Sequence, residues 1–233
     1  MLQVEKLQAF YGTSQALFDM NLKVDQGEVV TLIGRNGMGK TTTIHSIMGI
    51  VKAASGSIKY NGNNISALPA FKIAKLGLGL VPEGRQIFPN LTVNENLIAT
   101  AANKLSKPNP WTKETVLELF PPLAERLSSM GNLLSGGEQQ MLAIGRALMT
   151  NPDLLLLDDA TEGLAPLVRK DIWASLQSLK QSGLSILIVD KNLNDLMTLA
   201  DQHYVIEKGH VVWSGNSEQL RADPSIKDKY LGV

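Results

Sequence analysis

Residues 28 to 50, "EVVTLIGRNGMGKTTTIHSIMGI", decide the fold. An apolar, β-branched run (28–34) leads at once into glycines and a lysine, and then into a helix-length segment, "TTIHSIMGI". The run reads as a buried strand and the segment after it as a helix. Between them, Gly34 to Thr41 fit the pattern G-x-x-x-x-G-K-[ST]. Glycines let the backbone turn so that successive N–H groups face inward onto phosphate oxygens, and the helix that follows adds its positive dipole end. Lys40 offers a point charge to the outer phosphates, and the Thr41 hydroxyl can ligate Mg²⁺. Gly34, Arg35, Asn36, Gly37, Met38, Gly39, Lys40, Thr41 and Thr42 are thus candidate phosphate-loop residues. The bland alternative is a glycine-rich turn with no ligand.

Outward from this loop, short apolar runs alternate with helix-length segments, the pattern of a parallel sheet with crossover helices. "LLLLDD" (154–159) and "LSILIVD" (184–190) read as central strands, apolar on both faces. "YVIEKGHVVWSG" (204–215) reads as a hairpin turning at Lys208 and Gly209 near a sheet edge. From about 94 to 150 the strand signal gives way to helical segments, broken around "KPNPW" and "FPPL", which predicts an inserted helical subdomain.

Composition narrows the function classes. Lys+Arg and Asp+Glu are 22 each, so no net charge draws the chain to nucleic acid or an acidic membrane surface. With no cysteine, disulfides, thiol nucleophiles and cysteine-based metal sites are excluded. The opening "MLQVEKLQAFYG" interrupts the apolar core that an export signal needs, and no apolar run approaches the roughly 20 residues of a membrane span. The three histidines, His45, His203 and His210, show no ligand spacing.

Two further motifs carry chemistry. Asp158, at the end of "LLLL", stands where a phosphate-binding fold places a carboxylate near Mg²⁺, though alone it is equally a turn residue after a strand. "LLSGGEQQMLAIGRAL" (133–148) opens an amphipathic helix at Ser135, with Glu138 placed to complete a capping box. The glycine loop, "LSGGEQQ" and the aspartate strand, in that order, resemble the ATP-binding cassette (ABC) ATPases over essentially the whole chain. The resemblance implies an α/β fold. Its P-loop NTPase core would have a mainly parallel sheet, an N-terminal antiparallel β subdomain and an inserted α-helical subdomain. The chain would be one domain, 1–233, with 1–93 and 151–233 as core and 94–150 as the helical signature subdomain.

Within that family, "GLVPEGRQIFPNLTVNENL" (79–97), "TEGLAP" (161–166) and the ending "YLGV" resemble an ATP-binding subunit of importers for branched-chain and other hydrophobic amino acids. The resemblance implies ATP and Mg²⁺ as cofactors and a head-to-tail pair of cassettes, homomeric or heteromeric. In such a pair Ser135, Gly136, Gly137 and Glu138 serve the partner's ATP. It implies integral membrane permease subunits, indirectly a substrate-binding protein, and a peripheral place on the cytoplasmic face of the plasma membrane. Tyr11 matches the aromatic residue that stacks on adenine, or is an ordinary strand-end tyrosine. Glu83 matches a Mg²⁺ and γ-phosphate position, or "PEG" is simply a turn. Asp159 replaces the usual water-polarising glutamate and is one methylene shorter, which implies slow hydrolysis or a nucleotide-gated dimerisation switch with little turnover. Lys191 replaces the usual histidine and is either a fixed charge at γ-phosphate or a solvated strand-end residue. Ala165 stands where the family's dimer contact usually has an aspartate.

Overall fold

The computed structural model describes residues 1–231, so Gly232 and Val233 of the ending "YLGV" lie outside the described residues. Among the described residues ten strands form two sheets. The first contains β1 (Leu2–Tyr11), β2 (Ser14–Val24), β4 (Ala53–Tyr60) and β5 (Asn63–Asn64); the second contains β3 (Val29–Ile33), β6 (Leu78–Val81), β7 (Leu154–Leu157), β8 (Ser185–Val189), β9 (Gln202–Glu207) and β10 (His210–Gly215). The first sheet is antiparallel, in the order β2-β1-β4-β5. The second runs β10-β9-β3-β8-β7-β6 and is parallel except for β10, which closes a hairpin with β9 at the edge.

Two-faced burial explains the unbroken apolar runs. Every residue of β3, β7 and β8 is buried. Because successive side chains point to opposite faces, alternate residues enter different cores. Val29, Leu155, Leu157, Ile186 and Ile188 join one core, and Val30, Leu32, Leu154, Leu156 and Leu187 join the other.

Among the described residues ten α-helices complete the frame: α1 (Lys40–Ile47), α2 (Ala70–Lys75), α3 (Val93–Ala99), α4 (Lys113–Leu119), α5 (Pro121–Ala124), α6 (Gly136–Leu148), α7 (Pro166–Gln181), α8 (Leu193–Leu199), α9 (Ser217–Ala222) and α10 (Pro224–Ile226). α1 buries Ile44 and Ile47 in the core shared with the antiparallel sheet, while α6 and α7 pack on the opposite face. The expected helix after the glycine loop starts two residues early, because Gly39 in the left-handed region (φ 104) already accepts the Thr43 N–H at 2.9 Å. "KPNPW" lies in the irregular connection between α3 and α4, while "FPPL" spans the start of α5. The helical insert begins at the Thr92 cap of α3 and has no core of its own, since Ile144 and Leu148 of α6 cluster with Leu155 and Leu157 of β7.

One histidine without ligand spacing has a structural place. His203 on β9 is fully buried between the hydroxyls of Thr31 (2.7 Å to Nδ1) and Ser217 (2.8 Å to Nε2). Ser217 donates its hydroxyl hydrogen to the Met197 carbonyl, so Nε2–H donates to Ser217 and Nδ1 accepts from Thr31. Burial first, then the nearby Arg221 charge, pushes its pKa down to about 4 against a weaker pull from Asp201. A histidine depressed on folding leaves its stabilisation complete above about pH 6.5 and loses it as pH falls toward 4. Unfolding free energy is therefore expected to fall by about 2 kcal/mol between pH 7 and pH 5 from this group. Denaturant titrations of wild type and His203→Gln check it; equal pH slopes in both would remove His203 as the cause.

Candidate nucleotide site

The glycine loop is shaped from below. A Cβ on Gly34 would lie 2.3 Å from the Ile206 carbonyl oxygen of β9, so only glycine lets the loop leave β3 there. Gly37 (φ 76) and Gly39 (φ 104) occupy the left-handed region that glycine adopts without strain. Met38 rests on the β9–β10 turn: its carbonyl accepts the Gly209 N–H at 3.0 Å, and its sulfur the Lys208 N–H at 3.2 Å. Lys40, 7 % exposed, donates to the carbonyls of Gly34 (2.8 Å) and Arg35 (3.0 Å). Burial pushes its ammonium below the ordinary lysine value, while Asp159 and Asp158 pull it back up.

A cavity of about 290 Å³ opens above the loop, lined by Asn36, Gly37, Gly39, Lys40, Thr41, Thr42, Glu83, Asp159, Glu162 and Lys191. It sits at the carboxyl ends of the parallel strands, where ligands of open α/β sheets bind. A larger cavity, about 480 Å³, lies at the opposite ends beside Lys107 and Trp111 and contains none of the motif residues. Gly34, Arg35 and Met38 shape the loop without lining the cavity, and Tyr11, 52 % exposed at the end of β1, is also absent from the lining.

The two aspartates after β7 are placed differently. Asp158 is buried, and its Oδ1 accepts the Thr41 hydroxyl at 3.2 Å, while Oδ2 is buried without a hydrogen-bond partner. Burial raises its pKa, with the Thr41 bond opposing. Asp159 adopts a left-handed backbone (φ 51). Burial, then repulsion from Glu162 and Asp158, pushes its carboxyl up to about 6, with Lys191 and Lys40 pulling down. Carboxylate oxygens of Glu83, Asp159 and Glu162 lie within 4.8 Å of one another.

Glu162 is the functional candidate that sequence reasoning missed. It forms an ion pair with Lys191, which holds the Glu162 carboxyl below its usual range. Lys191 therefore lines the cavity as a paired cation rather than standing alone in solvent. Beneath the pair, the loops after β7 and β8 are fastened together. Asp190 Oδ2 accepts the Thr161 N–H (2.8 Å) and hydroxyl (2.7 Å), Asp190 Oδ1 accepts the Asn192 N–H (2.8 Å), and Asn192 Nδ2 donates to Thr161 Oγ1 (2.8 Å). Farther on, Ala165 is the N-cap of α7 and supplies no side-chain hydrogen bond there, a place where an aspartate would cap the helix.

The "LSGGEQQ" segment takes the expected local form. Ser135 caps α6, accepting from the Glu138 N–H, and the Glu138 carboxylate accepts from the Ser135 N–H at 2.7 Å. A Cβ on Gly137 would lie 2.4 Å from Val168 of α7, so the helix start fits tightly there. At Gly136 the neighbour is the movable Arg85 guanidinium. None of Ser135, Gly136, Gly137 and Glu138 lines the cavity above this chain's own glycine loop.

Known proteins place this geometry. The ABC transporter family model matches residues 17–162. The chain is 43 % identical, over 100 % of both chains, to the high-affinity branched-chain amino acid transport ATP-binding protein BraG of Pseudomonas aeruginosa. It is 34 % identical to the lipopolysaccharide export system ATP-binding protein LptB of Haemophilus influenzae, over 100 % of this chain and 97 % of that one. A crystal structure of a nucleotide-free ATP-binding cassette from an ABC transporter superposes with a TM-score of 0.86 at 27 % identity, covering 100 % and 98 % of the two chains. The chain belongs to the ABC transporter family, as one of its ATP-binding subunits.

Proposed function

We propose that this chain hydrolyses ATP to energise an importer of branched-chain or other hydrophobic amino acids. The observation that carries the substrate class is the likeness to BraG over the full length of both chains, closer than that to the lipopolysaccharide exporters. In this reading the loop amides and Lys40 hold the phosphates, and Tyr11, exposed at its strand end, stacks on adenine. Asp159, turned into the cavity, orients the attacking water or takes its proton. Lys191 presents its charge to the terminal phosphate.

The residues also fit Mg²⁺. A buried carboxylate oxygen without a partner beside a hydroxyl suits a hard, oxygen-seeking cation, so Thr41 and Asp158 would hold it, with Glu83 reaching in from the loop after β6. When bound, the ion neutralises charge on the outer phosphates.

The helix start at Ser135 to Glu138 does not line this chain's own cavity and would serve the ATP of a second cassette. Leu133 and Leu167, 74 % and 72 % exposed, supply apolar surface for such a pairing. No helix among the described residues is long and apolar enough to cross a membrane, so permease subunits must provide the path, with a substrate-binding protein delivering cargo to them. The chain then works from the cytoplasmic face of the plasma membrane. A groove of about 410 Å³ that includes Met48, Leu80, Phe88 and Ala147 adjoins the Glu83 loop and suits the permease contact. Co-expression with a permease pair is expected to return the chain in the detergent-solubilised complex. A chain that associates with no integral membrane protein removes the transport reading.

A further inference from the structure

The nucleotide site proposed above contains a rivalry between two anions. Lys191 lines the cavity that takes the phosphates, yet its ammonium is paired with the Glu162 carboxylate in the same cavity. The pair is built in from below: Thr161 and Asp190, the residues immediately before each partner, are buried and hydrogen-bonded to each other, and Asn192 ties both together. Arg169 of α7 adds a bond to Asn192 at 3.1 Å, so the loop bases are held from a third element. Neither side chain of the pair needs to travel far to meet, because the parallel pairing of β7 and β8 sets their loops side by side.

We propose that Glu162 is a specificity-determining residue that competes with the terminal phosphate of a nucleoside triphosphate for Lys191. A diphosphate has no terminal group to reach this ammonium and leaves the pair intact. A triphosphate must displace the carboxylate first, so Glu162 weakens ATP binding selectively. When the terminal phosphate leaves, Glu162 recovers Lys191 and the site returns to its starting arrangement. The effect is expected to be several-fold rather than a hundredfold. Both side chains are nearly half exposed, at 48 % and 44 %, and exposed ion pairs are weak.

Calorimetric titration with ADP and with a non-hydrolysable ATP analogue tests the proposal in wild type, Glu162→Gln, Lys191→Met and the double variant. Glu162→Gln keeps the side-chain shape and is expected to bind the triphosphate about three- to fivefold more tightly, with ADP affinity changed less than twofold. In the Lys191→Met background the same substitution is expected to change triphosphate affinity less than twofold. Equal tightening for both nucleotides would reveal a general charge effect and overturn the proposal. Tightening that persists without Lys191 would also overturn it, because Glu162 would then act on phosphate directly. Wild-type chain that binds neither nucleotide overturns the site reading itself, whereas wild type that binds both and is unchanged by Glu162→Gln overturns this inference alone.

Discussion

Asp159→Asn is expected to lower steady-state phosphate release by about 10²- to 10⁴-fold, the range that a positioned general base contributes. The side chain lines the cavity, its backbone sits in the left-handed region, and its carboxylate lies within 4.8 Å of those of Glu83 and Glu162. Asparagine keeps that shape and removes only the basic oxygen. Asp159→Glu lengthens the side chain by one methylene, to the glutamate that the family resemblance leads one to expect here, and is expected to raise turnover above wild type by bringing the oxygen closer to the water. Phosphate release with Mg²⁺-ATP separates the cases. An Asn variant as fast as wild type would take the base role from Asp159, and a wild type silent until Glu is introduced would make this a degenerate site whose pair partner hydrolyses.

Lys40→Met is expected to weaken ATP binding by about a hundredfold, with little loss of folding stability. A buried charge contact to an anion is worth several kcal/mol when one partner is truncated, and about 2.8 kcal/mol is a hundredfold. Stability should behave differently, because burial already disfavours this ammonium and its protein contacts are two backbone carbonyls. Methionine retains the apolar stem that fills the loop. Calorimetry for affinity and thermal denaturation for stability read the two quantities separately. A variant that binds ATP normally would show that the loop amides alone hold the phosphates, and one that unfolds would show that Lys40 is a structural strut.

What was legible follows from where information sits along the chain. β3, β7 and β8 are buried on both faces, so their sequences read as unbroken apolar runs, and the glycine loop obeys a spacing rule imposed by backbone geometry. The capping box at Ser135 and Glu138 is local and was equally plain. The Glu162–Lys191 pair was not, because its members are 29 residues apart and meet only through the β7–β8 pairing. The Thr161–Asp190–Asn192 network is hidden for the same reason. A charged residue within the segment after Asp159, opposite in sign to the cation after the next strand, was the one available signal. His203 lacked ligand spacing because it is held by hydroxyls, which leave no motif.

The support of the glycine loop by the β9–β10 turn also fixes when the site can exist during synthesis. Met38 and Lys208 are 170 residues apart, and Gly34 packs on Ile206, so the loop's mould leaves the ribosome long after the loop does. At translation speeds of about 5–20 residues per second, the loop waits roughly ten to thirty seconds for it. β3 itself lies between β8 and β9 and cannot be flanked until both have emerged. A nascent chain therefore carries the nucleotide motif long before it carries a nucleotide site, and capture of ATP marks a chain in which β9 and β10 have already been made and docked.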